Sequence, residues 1–203
     1  MRAYERLLRY VKVYTQSADG TGETPSTPCQ LELARQLEGE MRDLGLQEVQ
    51  ISPFGIVTGV LPATPGCEGA PPLGFIAHLD TAPAFSGKDV NPILHPGYDG
   101  GDLVLPRDGR VIRAADFPVL ERMKGRTLIT ADGSTLLGAD DKAGIAEIMT
   151  LCETLIRENL PHGRICVAFT PDEEIGEGAD HFDVEGFGAR YAYTVDGDLE
   201  GGI

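Results

Sequence analysis

The sequence predicts an α/β fold built on a mixed, largely parallel sheet, and three observations carry that expectation. From residue 141 onward Ile145, Ile148, Met149, Cys152, Leu155 and Ile156 step by three and four, the period of a helix with one apolar face. The segment "RICVAFT" (164–170) follows as an unbroken apolar run, the kind of strand that is buried on both faces. The segment "TLIT" (127–130) precedes the helix, and strand, helix, buried strand reads as a right-handed crossover between parallel strands. At 203 residues and 41% hydrophobic content, the chain suits one α/β domain or a large part of a two-domain protein.

The elements follow in order. Residues 3–16 form an amphipathic helix, and "SADGTGETPSTP" (17–28) is a loop by its glycine, proline, serine and threonine. Ser26 or Thr27 is placed to cap the next helix (29–45), whose apolar face is Leu33, Leu37, Met41 and Leu44 and whose stop is Gly45. "EVQIS" (48–52), "IVTGVLPA" (56–63) and "LGFIAHLD" (73–80) read as strands, and residues 83–101 as a long loop. "DLVLPRDGRVIR" (102–113) reads as a hairpin, residues 140–159 as the helix described above, and "RYAYTV" (190–195) as a last strand.

Composition excludes several classes. With 17 Lys+Arg against 32 Asp+Glu, the net charge of -15 argues against nucleic acid, whose phosphates require clustered bases. No run of about 18 apolar residues is present to span a membrane, and the charged start "MRAYERLLRYVKVY" is not a signal peptide. Cys29, Cys67, Cys152 and Cys166 form no C-x-x-C pair and read as free thiols in a reducing cytoplasm. The glycines form neither G-x-G-x-x-G nor a Walker loop, so no motif indicates nucleotide binding.

Acidic groups gather in four places: His78 and Asp80 in "AHLD", Asp140 and Asp141 in "GADDKAG", Asp172, Glu173 and Glu174 in "PDEE", and Asp196 and Asp198 in "TVDGD". Three follow apolar strands and the fourth opens a helix, and in open α/β sheets these positions share the edge where ligands bind. Converging carboxylates raise one another's pKa unless a counter-charge is present. Lys142 is the only close base in the sequence, so a pair of divalent cations is the expected partner. His78 and Asp80 lie two apart and share a face, so His78 can ligate a metal while Asp80 engages its other ring nitrogen. Of the adjacent glutamates, one ligates while its neighbour activates water as general base. Imidazole with carboxylates suits Zn²⁺, Mn²⁺ or Co²⁺.

Each group alone has an ordinary explanation. Asp140 or Asp141 can cap the helix, Glu173 and Glu174 can sit in a solvated loop, Asp196 and Asp198 can form a turn, and His78 can be a core histidine. The shared placement of all four clusters is what points to a site. His95, His162 and His181 lack such company and read as structural or solvated.

Taken together, "GFIAHLDTAPAFSGKDVNP", "TLITADGSTLLGADDKAGIAEIM", "PHGRICVAFTPDEEIGEGADHFD" and "YAYTVDG" resemble the tripeptide aminopeptidases of the dinuclear-zinc exopeptidase superfamily, over about residues 73–197. The resemblance implies a three-layer α/β/α sandwich carrying an inserted lid and dimerisation domain. It implies two Zn²⁺ per subunit, with Co²⁺ or Mn²⁺ able to substitute. His78 and Asp196 would bind the first metal, Glu174 the second, and Asp140 would bridge them across a cis Asp140–Asp141 peptide. Asp80 would orient His78, and Glu173 would be the general base serving a metal-bound hydroxide.

Residues 1–203 would then be the N-terminal portion of the catalytic domain, without the lid, the returning segment or a last ligand histidine. Such a piece alone would be weakly active or inactive, and the full-length protein a homodimer acting on tripeptides. Asp198 stands where the family tends to a second glycine. Another exopeptidase or deacylase of the superfamily (dipeptidase, carboxypeptidase), or a catalytically incomplete metal-binding domain, would share the same core.

Overall fold

The computed structural model describes residues 1–197; Asp198 and the last residues through Ile203 lie outside the described residues. In chain order the elements are α1 (Ala3–Tyr10), α2 (Gln30–Leu44), β1 (Gln47–Ile51), β2 (Val57–Leu61) and β3 (Leu73–His78). An excursion follows through β4 (Ile93–His95), β5 (Leu103–Val104), β6 (Val111–Ile112), α3 (Val119–Arg122) and β7 (Leu128–Thr130). The chain returns by α4 (Ala139–Arg157), β8 (Ile165–Thr170), a 3₁₀ turn (Glu173–Ile175), α5 (Val184–Phe187) and β9 (Tyr191–Thr194). No helix among the described residues is long and apolar enough to cross a membrane.

The main sheet has the order β1-β2-β8-β3-β9. Its β1–β2 and β2–β8 pairings are antiparallel, and β8–β3 and β3–β9 are parallel, so the sheet is mixed. The register pairs Leu73 with both Ile165 and Tyr191, and His78 with Thr170. The carboxyl ends of β3, β8 and β9 therefore arrive together on one edge.

One face of the sheet presents Val57, Leu61, Ala77, Ile165, Val167 and Phe169 to a core completed by Leu7 and Tyr10 of α1, Leu33, Leu37 and Met41 of α2, and Ile145, Ile148, Met149 and Cys152 of α4. Each Val, Leu, Ile, Phe or Met side chain among these, fully buried, contributes about 1.5–3 kcal/mol. Gly59 lets α2 close on the sheet, since a Cβ there would come within 2.9 Å of Met41 Sδ. Buried Arg6 fastens the three helices, donating to Glu40 of α2 at 2.8 Å and to Glu153 of α4 at 2.7 Å. Phe187 of α5 lies over Gly74 on the opposite face, so helices cover both sides of the sheet.

Several expectations need correction. The first helix ends at Tyr10 because its onward carbonyls are drawn to other partners: Val13 O accepts Lys142 Nζ at 2.8 Å and Thr15 O accepts the Thr81 N–H at 3.2 Å. Helix α2 starts after Cys29 without a side-chain cap; Thr27 Oγ1 donates instead to Gln16 O at 2.7 Å, and Ser26 Oγ to Asp172 at 2.5 Å. The loop predicted over 83–101 contains β4, which pairs antiparallel with β7 in a separate two-stranded sheet. The parallel neighbour of β8 is therefore β3 and not "TLIT". The hairpin over 102–113 is present as β5–β6, and all four cysteines are free.

Candidate metal centre

The shared edge of β3, β8 and β9 places the candidate groups. His78 is the last residue of β3, and the Leu79 N–H continues the ladder to Thr170 O at 2.8 Å. The 3₁₀ turn after β8 carries Glu173 and Glu174. The Val195 N–H donates to Ile76 O at 2.8 Å and so extends β9 far enough to deliver Asp196. Helix α4 enters from the same side through the cis Asp140–Asp141 peptide.

Three carboxylates then face one nitrogen, and two more lie beside it. His78 Nε2 lies 2.8 Å from Asp140 Oδ1, 3.7 Å from Glu173 Oε2 and 3.9 Å from Asp196 Oδ2. His78 and Asp140 also form a cluster with Glu174, and His78 one with Asp141 and Asp196, their ligand atoms lying within 4.8 Å of one another. On its other side the ring presents Nδ1 to Asp80, 3.1 Å from the carbonyl oxygen and 3.3 Å from Oδ1. With the Nδ1 hydrogen engaged there, a neutral imidazole would turn a lone pair toward carboxylates, so a cation is required between them. Burial pulls the His78 pKa down, but hydrogen bonding and charge from Asp80, then charge from Asp141, outweigh it and raise the value to about 10. A proton can thus supply the positive charge. A divalent ion meets the same need, and the donor set of one imidazole with carboxylates fits Zn²⁺, Mn²⁺ or Co²⁺.

The neighbours show the same tension. Burial raises the Glu174 pKa, and the charge of Asp140 adds to it. Asp80 resists its own burial: hydrogen bonding from His78 holds its carboxyl below the ordinary range. Its two oxygens accept the N–H groups of Glu173 and Glu174 at 3.0 and 3.2 Å, so Asp80 fixes the 3₁₀ turn as well as the ring. The groups open on a cavity of about 110 Å³ lined in part by His78, Asp141, Glu173 and Asp196. Lys142 does not join them; its ammonium is buried against Val13 O, and burial depresses its pKa to about 8.

Of the sequence candidates, His78, Asp80, Asp140, Glu173, Glu174 and Asp196 come together, while Asp172 turns away from the cavity toward Ser26 and Gln30. His95, His162 and His181 lie elsewhere, on Thr130, Gly163 and Phe54 respectively. Asp141 takes the capping role considered for either aspartate: Oδ1 accepts the Gly144 N–H at 3.1 Å and Oδ2 the His78 N–H at 3.1 Å. Burial is the main reason that its pKa rises to about 8.

Gly144 was invisible to the sequence reading. A Cβ there would collide with the Val195 carbonyl oxygen and Asp141 Oδ1. Gly144→Ala should therefore cost about 1–3 kcal/mol by overpacking and lower the melting temperature by roughly 2–10 °C. Metal affinity should fall with it, because Val195 adjoins Asp196. Thermal melts with and without added zinc check both effects.

The mixed sheet with helices on both faces makes a zinc-exopeptidase-like α/β fold. Residues 130–201 match the family model "Peptidase family M20/M25/M40". Across nearly its whole length the chain is similar to peptidase T. It is 57% identical over 195 residues to peptidase T of Desulfitobacterium hafniense (strain DSM 10664 / DCB-2), covering 95% of this chain and 47% of that protein. It is 54% identical over 193 residues to peptidase T of Edwardsiella ictaluri (strain 93-146), with the same coverage. The chain thus spans about half the length of the curated relatives it matches. Among solved structures, aminopeptidase PepT from Bacillus cereus ATCC 10987 superposes with a TM-score of 0.69 at 28% identity, covering 98% of this chain and 43% of that one. Aminoacylhistidine dipeptidase from Vibrio alginolyticus shares the fold at a TM-score of 0.66 and 22% identity, covering 98% of this chain and 33% of that one.

Proposed function

We propose that this chain carries the catalytic centre of a metal-dependent aminopeptidase that removes the N-terminal residue from tripeptides. The activity is assigned to a longer polypeptide, since this chain covers 47% of its curated relatives. One observation carries the reading: His78 Nε2 faces the carboxylates of Asp140, Glu173 and Asp196 at 2.8–3.9 Å, with its Nδ1 already held by Asp80. Similarity to peptidase T and to a solved aminopeptidase supports the substrate class.

In this reading His78, Asp140, Glu174 and Asp196 hold two divalent ions, Zn²⁺ in the first place, with Co²⁺ or Mn²⁺ able to substitute. When bound, the ions polarise the scissile carbonyl and acidify the attacking water. Asp80 keeps the Nδ1 hydrogen of His78 occupied, so that Nε2 offers its lone pair inward. Glu173, half-exposed at the mouth of the cavity, takes the proton from water and returns it to the leaving amine. The acidic surroundings favour a substrate's terminal ammonium. Free thiols at all four cysteines support a reducing, cytoplasmic setting.

The test is release of the N-terminal residue from a tripeptide by the full-length protein, before and after chelation and upon addition of Zn²⁺ or Co²⁺. Activity that survives complete metal removal would overturn the reading. Tight binding of two ions without hydrolysis of any peptide would favour a binding module instead.

A proton count gives an independent check. Only neutral imidazole ligates, and His78 is held protonated up to about pH 10. Metal binding at pH 7 should then expel at least one proton, from this ring and from any neighbouring carboxyl that burial keeps protonated, and affinity should fall as the pH is lowered. Calorimetry in two buffers of different ionisation enthalpy measures that release.

A further inference from the structure

We infer that Asp172 is a positioning residue for the two glutamates that follow it, one half of a buried latch whose other half is Ser26 and Gln30. The inference rests on the roles proposed above for Glu173 and Glu174. Asp172 is fully buried, yet its carboxylate lies outside the metal cluster. It accepts the Ser26 N–H at 2.7 Å, the Ser26 hydroxyl at 2.5 Å and Gln30 Nε2 at 2.6 Å. Gln30, also fully buried, uses its amide in both directions, because Oε1 accepts the Asp172 N–H at 3.2 Å. Ser26 Oγ in turn accepts the Ala18 N–H at 3.0 Å, so the hydroxyl is fixed from behind. A buried carboxylate held by neutral donors is tied to one geometry, since loss of any donor leaves charge without a partner.

That geometry aims the catalytic turn. Asp172 adopts φ 60°, ψ 26°, the left-handed region, which ordinary residues enter only where surroundings hold them there. The reversal at this residue directs the next two N–H groups to Asp80, at 3.0 and 3.2 Å. The turn is thus pinned twice: Asp80 grips its amides from the cavity side, and Ser26 with Gln30 grips its leading side chain from the start of α2. Opening the second grip frees the left-handed residue to relax, and Glu173 and Glu174 move with it. Displacements near 1 Å in such groups can cost about 100-fold in rate.

The test uses the full-length protein with Ser26→Ala, Gln30→Glu, and Gln30→Glu combined with Asp172→Asn. Gln30→Glu sets a carboxylate against Asp172; the double variant restores a donor opposite an acceptor. Gln30→Glu should lower kcat about tenfold or more with little change in KM, and weaken zinc binding by about 10–100-fold, the range for lost supporting contacts. Ser26→Ala should move both in the same direction, and the double variant should recover most of the loss. Folded Ser26→Ala and Gln30→Glu variants with parental kcat and zinc affinity would overturn the inference, even if they melt at lower temperature. So would failure of the double variant to recover. If Gln30→Glu does not fold, Ser26→Ala, which removes a single hydroxyl, decides by the same measurements. Should the parent protein cleave no peptide, the proposed function fails on its own, and zinc affinity alone judges the latch.

Discussion

Glu173→Ala in the full-length protein should lose about 10²–10⁴-fold in kcat, the range for a missing general base, while keeping both ions. The clustering of ligand atoms separates this side chain from the proposed ligands. Glu173 belongs to neither cluster of mutually close ligand atoms, although its Oε2, 3.7 Å from His78 Nε2, lies no farther away than Asp196 at 3.9 Å. Its side chain is half-exposed, so truncation leaves no cavity in the core. Its backbone N–H remains on Asp80, so the turn keeps its anchor and Glu174 its place. The measurements are metal content by elemental analysis and turnover of a tripeptide under saturating metal. Turnover near the parental rate would remove Glu173 from the mechanism; metal loss would make it a ligand instead.

The asymmetry between the two glutamates was legible only in part. The sequence places a carboxylate pair after an apolar strand, and the parallel register of β3, β8 and β9 explains why that pair meets His78 and Asp196. The helical period correctly located α4, whose apolar stripe of Ile145, Ile148, Met149 and Cys152 is buried. Where the reading stopped short, tertiary contacts decided. Val13 and Thr15 fit a helical pattern, but their carbonyls serve Lys142 and Thr81, and no period in the sequence carries that information. Strand β4 has only three residues in a stretch rich in glycine and proline, and its partner β7 lies more than thirty positions away. The roles of Asp172 and Gly144 depend on residues 26, 30 and 195, distant in sequence, and surface only when the chain is folded.

Asp140→Ala should differ from a structural mutation: metal binding and activity vanish while the metal-free fold loses less stability than in Asp141→Ala. Among the described residues the only side-chain hydrogen bond of Asp140 is to His78 Nε2. Its side chain is largely exposed, at 66%, and it caps no helix, because Asp141 performs that task. Its charge raises the pKa of Glu174, which means that the two acids repel. Removing Asp140 relieves that repulsion but leaves one imidazole N–H without its nearest acceptor, so the two effects offset in part. Asp141→Ala provides the contrast. It removes two buried acceptors, leaving the His78 and Gly144 N–H groups unsatisfied, and should cost about 2 kcal/mol or more at roughly 1–3 kcal/mol per orphaned group. Melting curves of the two variants in chelator, beside zinc titrations, separate the cases. A stability loss in Asp140→Ala equal to that in Asp141→Ala would show that the first aspartate supports the fold, and the division of labour between this adjacent pair would fail. If instead Asp140→Ala melts closer to the parent than Asp141→Ala does in chelator and no longer gains stability from zinc, the exposed aspartate serves the ions and the buried one the backbone.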